Sequence, residues 1–277
     1  MDVVGHTTIK HRKGQVNTMR LNKNIRLALA IVPLFAVSIM GNSVANAAVA
    51  PDGKSATTAA NLTLLEKSGP VDPLDPSKPV QPLNPGTPTT GDLRMDYISD
   101  LHFGSHEISG TSETYFAAFD KVADLSGHRD PVTGGWVTTG LGSYRDVPNY
   151  AQITNNTTGN WQLNVRNTPF TGANGGVLKG ASLLLDNIEG HNTIVGSTIS
   201  PNRTKLLGNN RDFSVVVTDG VSDKPAGTWT LAMGNMSPLS PDSKGNQSVK
   251  LTVPGYSEKV VGETYTSTLT WTLIAAP

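Results

Sequence analysis

Short stretches in which apolar and polar residues alternate recur along the chain from residue 93 to the C-terminus. A period of two places successive side chains on opposite faces of a β-strand, and turn-forming residues separate the stretches. The alternation predicts an all-β fold, and the many short strands favour an antiparallel β-sandwich in a single domain over 93–277. The predicted strands are Leu93–Ile98, His106–Ser109, Thr114–Lys121, Gln152–Thr154, Trp161–Arg166, Ala181–Asp186, Asp212–Thr218, Gly227–Met233, Ser248–Val253 and Tyr265–Ile274.

The clearest alternation surrounds three tryptophans that are each followed two residues later by a leucine. The three pairs are Trp161 with Leu163, Trp229 with Leu231, and Trp271 with Leu273. In a strand, both members of a pair point to the same face, with polar residues on the other. These side chains either form the core, which is the interpretation we favour, or offer indole faces for stacking on sugar rings.

The N-terminal region has the three parts of a secretory signal peptide. The apolar run 27–40 follows several basic residues and precedes Ala45-Asn46-Ala47, an Ala-x-Ala ending. The run is too short to cross a bilayer as a permanent helix, which needs about 20 apolar residues. We expect residues 1–47 to be removed on export, with residues 1–18 as an upstream extension because Met19 opens a signal peptide of more usual length.

A proline occupies every third position from residue 70 to residue 88. These prolines are Pro70, Pro73, Pro76, Pro79, Pro82, Pro85 and Pro88. Polyproline II has three residues per turn, so the period predicts an extended spacer over 70–92, about 60 Å long. The alternative is an exposed loop that proline keeps out of the sheets. Residues 48–69 then form an N-terminal segment with one short strand, Asn61–Glu66.

The charge of the chain limits the classes of partner, and its cysteine content limits how the fold can be stabilised. Residues 1–47 hold six of the 22 basic and one of the 22 acidic residues, so the exported chain has a formal net charge of −5. Because the sequence shows no basic cluster, we expect no nucleic-acid partner. The chain has no cysteine, so its stability must come from a buried core. No second long apolar run occurs, and we expect no transmembrane anchor.

Residues that could carry chemistry are scattered. His102 and His106 lie four positions apart in a Gly-containing segment, where helical ligand spacing does not apply, and no third ligand is evident. The carboxylates Asp96, Asp120, Asp219 and Asp223 lack a calcium-loop pattern. No nucleophile elbow or cysteine nucleophile is present. The sequence therefore predicts no enzymatic activity, no metal ion and no cofactor, although spacing alone does not exclude two positioned carboxylates.

The ordered set of motifs resembles the WxL family, cell-surface proteins of Gram-positive bacteria. That family carries one Trp-x-Leu motif in mid-domain and one near the C-terminus, which Asn160-Trp161-Gln162-Leu163 and Leu269-Thr270-Trp271-Thr272-Leu273 match. Val147-Pro148-Asn149-Tyr150 is a further similar passage. The resemblance covers essentially all of the exported chain. The motif at Trp229 and the upstream extension depart from the family pattern.

The resemblance implies a non-covalent cell-wall-binding domain with peptidoglycan as the type of ligand. It also implies assembly with other WxL proteins and membrane-anchored surface proteins, in a structural or adhesive role. The expected localisation is therefore secreted and retained at the cell surface. The alternative is a protein–protein interaction module that binds a membrane- or wall-anchored surface protein, so that its association with the wall is indirect.

Overall fold

A computed structural model describes residues 48–49, 51, 53–57, 69–87, 89–130, 135–157, 159–193, 199–217, 227–236 and 245–276. The predicted signal peptide, residues 1–47, and the predicted strand Asn61–Glu66 both lie outside these ranges. The chain divides into two units, 1–64 and 65–277. The described part of the first unit is a two-stranded antiparallel pair.

Every regular element among the described residues is a β-strand, which confirms the all-β prediction. The first unit contributes β1 Ala48–Val49 and β2 Ala56–Thr57. The second unit begins with β3 Val80–Pro82, β4 Leu93–Ile98, β5 Glu113–Ala117, β6 Asp120–Asp124, β7 Arg145–Val147, β8 Tyr150–Asn155, β9 Asn160–Asn167 and β10 Thr171–Gly172. It continues with β11 Ser182–Leu185, β12 Ile188–Asn192, β13 Ser200–Pro201, β14 Thr204–Leu206, β15 Phe213–Val217, β16 Gly227–Met233, β17 Asn246–Val253, β18 Tyr265–Thr266 and β19 Leu269–Ala276.

Three four-stranded antiparallel sheets make up most of the second unit. Sheet I has the order β12-β16-β8-β4, sheet II the order β14-β11-β17-β5, and sheet III the order β13-β15-β9-β19. A smaller sheet has the order β3-β6-β7, and β10 pairs with β18. Neighbours in the sheets are distant in sequence, so the fold depends on non-local pairing.

Inward-facing side chains of sheets I, II and III form one hydrophobic core. Ile153 of sheet I, Leu183 of sheet II and Val165 of sheet III are each 0% exposed and belong to the same cluster. Along β9, fully buried residues alternate with partly exposed ones, as the period of two requires. Each large aliphatic side chain buried in this way stabilises the fold by about 1.5–3 kcal/mol.

Strands β8 and β16 are buried on both faces because the proline-rich segment covers the outer face of sheet I. The backbone N–H of Val71 donates to Oε1 of Gln152 at 2.7 Å. The hydroxyl of Thr230 donates to the carbonyl of Pro73, also at 2.7 Å. Val71 itself is 1% exposed. Gln152 and Thr230 therefore have protein partners in place of water.

Residues 70–82 accordingly differ from the extended spacer that the proline period predicts. Val71 bridges to Pro79, and β3 pairs with β6 in the small sheet. Val80 is 1% exposed and packs against Tyr97 and Tyr150. A segment that buries apolar side chains against the domain is not an isolated, hydrated rod. Pro82 is compatible with strand pairing because β3 lies at the edge of its sheet. Residues 83–87 are exposed and are not part of a strand, although the backbone N–H of Leu83 still donates to the carbonyl of Lys121 at 2.8 Å.

A buried ion pair lies beside the covered face of sheet I. Arg94 Nε and Asp96 Oδ1 are 2.7 Å apart, with side chains only 3% and 5% exposed. Arg94 also donates from Nη1 to the carbonyl of Gly91 at 2.7 Å, and Gln152 Nε2 donates to Asp96 at 3.2 Å. These additional hydrogen bonds offset the cost of removing both charges from water.

Some predicted strands differ from the observed ones. The stretch Thr114–Lys121 is divided between β5 and β6, which belong to different sheets. The stretch Tyr265–Ile274 is interrupted at Ser267, whose hydroxyl donates to the carbonyl of Thr168 at 2.6 Å. His106–Ser109 is not a strand. The sequence interpretation missed the described strands β1, β2, β3, β7, β10, β12, β13 and β14.

Candidate functional site

The two family-type Trp-x-Leu motifs are neighbours in sheet III. Strands β9 and β19 run antiparallel, and their register sets the two leucines directly opposite each other. The aligned pairs are Val165 with Trp271, Leu163 with Leu273, and Trp161 with Ala275. The two tryptophans therefore lie on either side of a central leucine pair. This arrangement joins motifs that are far apart in sequence.

Side chains of both motifs point into the core. Trp161 and Leu163 are 0% exposed. Trp271 and Leu273, on the edge strand, are partly buried and pack against the same cluster. A ring that is wholly enclosed by protein has no free face for a sugar, so Trp161 cannot stack on a glycan in this conformation. The partly exposed Trp271 retains limited contact with solvent.

The third motif lies in sheet I and faces the same core. Trp229 and Leu231 are both 0% exposed. In the register of sheet I, Trp229 is opposite Ile153 on β8 and Leu231 is opposite Ala151. The structure thus brings all three Trp-x-Leu pairs to one hydrophobic cluster and does not gather them at a surface.

One polar atom within this cluster is unpaired. The indole Nε1 of Trp161 is buried and has no hydrogen-bond partner among the residues that the structure describes. Burying an N–H group without a partner costs about 1–3 kcal/mol, so the packing of the ring must outweigh that cost. The ring contributes through its shape and area, and its N–H contributes no hydrogen bond.

The histidines and carboxylates singled out in the sequence lie in separate local contacts. His106 stacks on Tyr115, with ring centroids 4.1 Å apart. Asp96 is paired with Arg94, as described above. Within the described ranges, no group of three or more His, Asp or Glu residues is placed to hold a metal ion. Asp219 and Asp223 fall outside those ranges.

Asp120 accepts two hydrogen bonds at the edge of the small cluster around Val80. Tyr97 donates its hydroxyl to Asp120 Oδ2 at 2.7 Å, and Ser99 donates to the same oxygen. Burial, with the nearby Asp120 charge second, raises the pKa of Tyr97 far above its usual range. Burial likewise raises the pKa of Tyr150, whose ring centroid is 4.8 Å from that of Tyr97. The arrangement stabilises the neutral forms of both phenols.

An open groove lies on the outer face of sheet II. Its volume is about 310 Å³, and its lining residues are Ser182, Leu184, Arg203, Lys205 and Thr252. Their strands alternate, with inward neighbours such as Leu183 and Leu251 in the core. Because inward and outward positions alternate, the groove side chains point away from the core.

Cationic side chains gather around this groove. Arg203 Nε is 3.0 Å from Asp186 Oδ1, and Lys250 Nζ is 3.7 Å from Asp186 Oδ2. Lys205 is exposed and pairs in register with Leu184. The sequence interpretation recognised no basic cluster, because these cations come from β17 and from the unpredicted β14. The Arg203-Thr204-Lys205 alternation was the one local signal.

A comparison with protein-family models identifies the family to which this chain belongs. A family model described as "WxL domain surface cell wall-binding" matches residues 51–277. The chain belongs to the WxL family. No curated protein and no solved structure matches it.

The WxL match agrees with the resemblance carried by the two sequence motifs. It indicates a surface domain that binds the cell wall, and the family is described by binding and not by a reaction. Among the residues that the structure describes, none belongs to a helix long and apolar enough to span a membrane. Since the WxL tryptophans lie mainly in the core and the outer face of sheet I is covered, the groove of sheet II is an exposed surface that remains.

Proposed function

We propose that this WxL protein is exported and binds peptidoglycan non-covalently, as a structural or adhesive component of the cell surface. The observation that carries the proposal is the WxL match over 51–277. The signal-peptide pattern in residues 1–47 supports export. Binding without catalysis is consistent with the family description and with the separate positions of the candidate catalytic groups.

The burial of Trp161 and Trp229 supports a structural part for them in this function. Both are enclosed by the three main sheets, so their substitution alters binding through stability and not through a lost contact. The groove of sheet II has the exposure and polar lining that a wall ligand requires. It is the surface on which we expect contact with the wall.

The test is co-sedimentation of residues 48–277 with sacculi stripped of all protein. We expect the wild type to pellet. The double variant Trp161→Phe, Trp271→Phe should also pellet wherever circular dichroism shows it to be folded, because phenylalanine retains most of the core volume. No pelleting of the wild type would overturn direct wall binding. A folded variant that fails to pellet would place the tryptophans at the contact.

The exposed edge of sheet III favours a second candidate, binding of another surface protein. Strand β19 ends the described order of sheet III, is eight residues long, and carries Ile274 at 43% exposure. Edge strands with unpaired backbone groups can accept a strand from a partner. This candidate predicts binding to untreated walls and none to protein-free sacculi, so the same sedimentation experiment separates the two.

A further inference from the structure

The groove of sheet II carries a regular row of side chains across three strands. Leu184 on β11 is opposite Lys205 on β14 and also opposite Lys250 on β17. Neighbouring strands are about 4.8 Å apart, so the two lysine positions are separated by about 10 Å across the sheet. An aliphatic side chain thus lies between two cationic ones. Register fixes this spacing, because each strand is also anchored in the core by its inward residues.

The charge of this row is only partly neutralised by neighbouring side chains. Arg203 and Lys250 share one carboxylate, that of Asp186, and Lys205 adds a third positive charge. Among the described residues, these four side chains have a formal balance of +2. The exported chain as a whole has a formal charge of −5. Lys205 makes no ion pair with any residue that the structure describes. The groove is therefore a local positive site on an acidic protein, which attracts an anionic ligand.

The three cationic side chains differ in geometry and in the partners that they already have. The guanidinium of Arg203, whose fork suits a planar carboxylate, is already placed 3.0 Å from the Asp186 carboxylate. The two lysines are compact point charges with rotatable donors, and lysines of this kind bind phosphate groups as point charges. Two positive charges at a fixed separation suit a chain that carries phosphates at intervals better than a single small ion.

The lining also argues against nucleic acid as the anionic polymer. Ser182 and Thr252 supply hydroxyl groups, and Leu184 supplies an aliphatic floor. Phe116 is opposite Lys250 in register and borders this row. The five lining residues themselves include no aromatic side chain, whereas proteins that bind single strands stack successive bases on aromatic rings. The lining fits a polymer whose repeats are aliphatic or polyhydroxylated.

We propose that the sheet II groove binds the phosphodiester groups of an anionic wall polymer through Lys205 and Lys250. The inference rests on the proposed cell-wall function and adds to peptidoglycan a second class of wall ligand. The groove would then strengthen retention at the wall without any covalent attachment. Binding at the groove should weaken as ionic strength rises, because both lysines act from an exposed surface.

The test compares the double variant Lys205→Gln, Lys250→Gln with wild type on two kinds of sacculi. One kind keeps its phosphodiester-linked polymers, and the other has lost them by hydrofluoric acid extraction. The matched control is Lys78→Gln, Lys121→Gln, which removes the same charge from exposed lysines outside sheet II. Soluble poly(glycerol phosphate) serves as a direct probe, with poly-glutamate and single-stranded DNA as competitors.

We expect wild type and the control to bind intact sacculi about tenfold more tightly than extracted sacculi, and the groove variant to lose that difference. Binding of poly(glycerol phosphate) should fall by a similar factor in the groove variant alone. Equal affinity of wild type for both sacculi, or an unaffected groove variant, would overturn the proposal. Stronger binding of poly-glutamate or DNA would overturn the phosphodiester assignment. Binding of the wild type to extracted sacculi, which lack the phosphodiester-linked polymers, tests peptidoglycan binding separately.

Discussion

Val80 provides a direct test of whether the proline-rich segment is part of the folded domain. Its side chain is 1% exposed and belongs to the small cluster that contains Tyr97 and Tyr150. Val80→Ala removes two carbon groups, and at about 0.8 kcal/mol each the transfer loss is about 1.6 kcal/mol. An unrelaxed cavity of about 50 Å³, at about 24 cal/mol per Å³, adds up to about 1.2 kcal/mol.

The expected loss in the free energy of unfolding is therefore about 1.5–3 kcal/mol. Urea denaturation followed by tryptophan fluorescence would measure it, since unfolding exposes the buried rings of Trp161 and Trp229. In a thermal scan the same loss corresponds to a fall in Tm of about 3–12 °C for a domain of this size.

Leu83→Ala is the matched control for this measurement. Leu83 lies three positions after Val80 and is 50% exposed. Truncating an exposed side chain away from special features changes stability by no more than about 0.5 kcal/mol. If Val80→Ala proved as harmless as Leu83→Ala, the segment would be a spacer after all, and the reasoning from its burial would be refuted.

Two further predictions concern the motif leucines and the buried phenols. Leu163→Ala should lower the free energy of unfolding by about 2–5 kcal/mol, and Leu273→Ala should lower it by clearly less, because only Leu163 is fully buried. Equal losses for the two variants in urea denaturation would contradict this prediction. The pKa of Tyr97 is raised in the folded state, so its contribution to stability is complete below the unfolded pKa of about 10 and is lost as the pH rises above it. Unfolding free energies measured between pH 9 and pH 11 should therefore decline less steeply in Tyr97→Phe than in wild type, and parallel declines would count against the assignment.

The sequence alone determined the fold class and several strands of the core. The boundaries predicted for Leu93–Ile98 and Gly227–Met233 coincide with β4 and β16. The alternation also showed which side of β9 is buried. These features depend on a period of two within a single strand, so they can be recognised without knowledge of the strand's neighbours.

Only the tertiary structure decided how the proline-rich segment is used and where the basic groove forms. The three-residue period is a local property, but Val71 is held by Gln152 from a distant strand. Likewise, Lys205 and Lys250 share one face only because β14 and β17 both pair with β11. Burial and charge clustering arise from non-local pairing, which no single segment of the chain encodes.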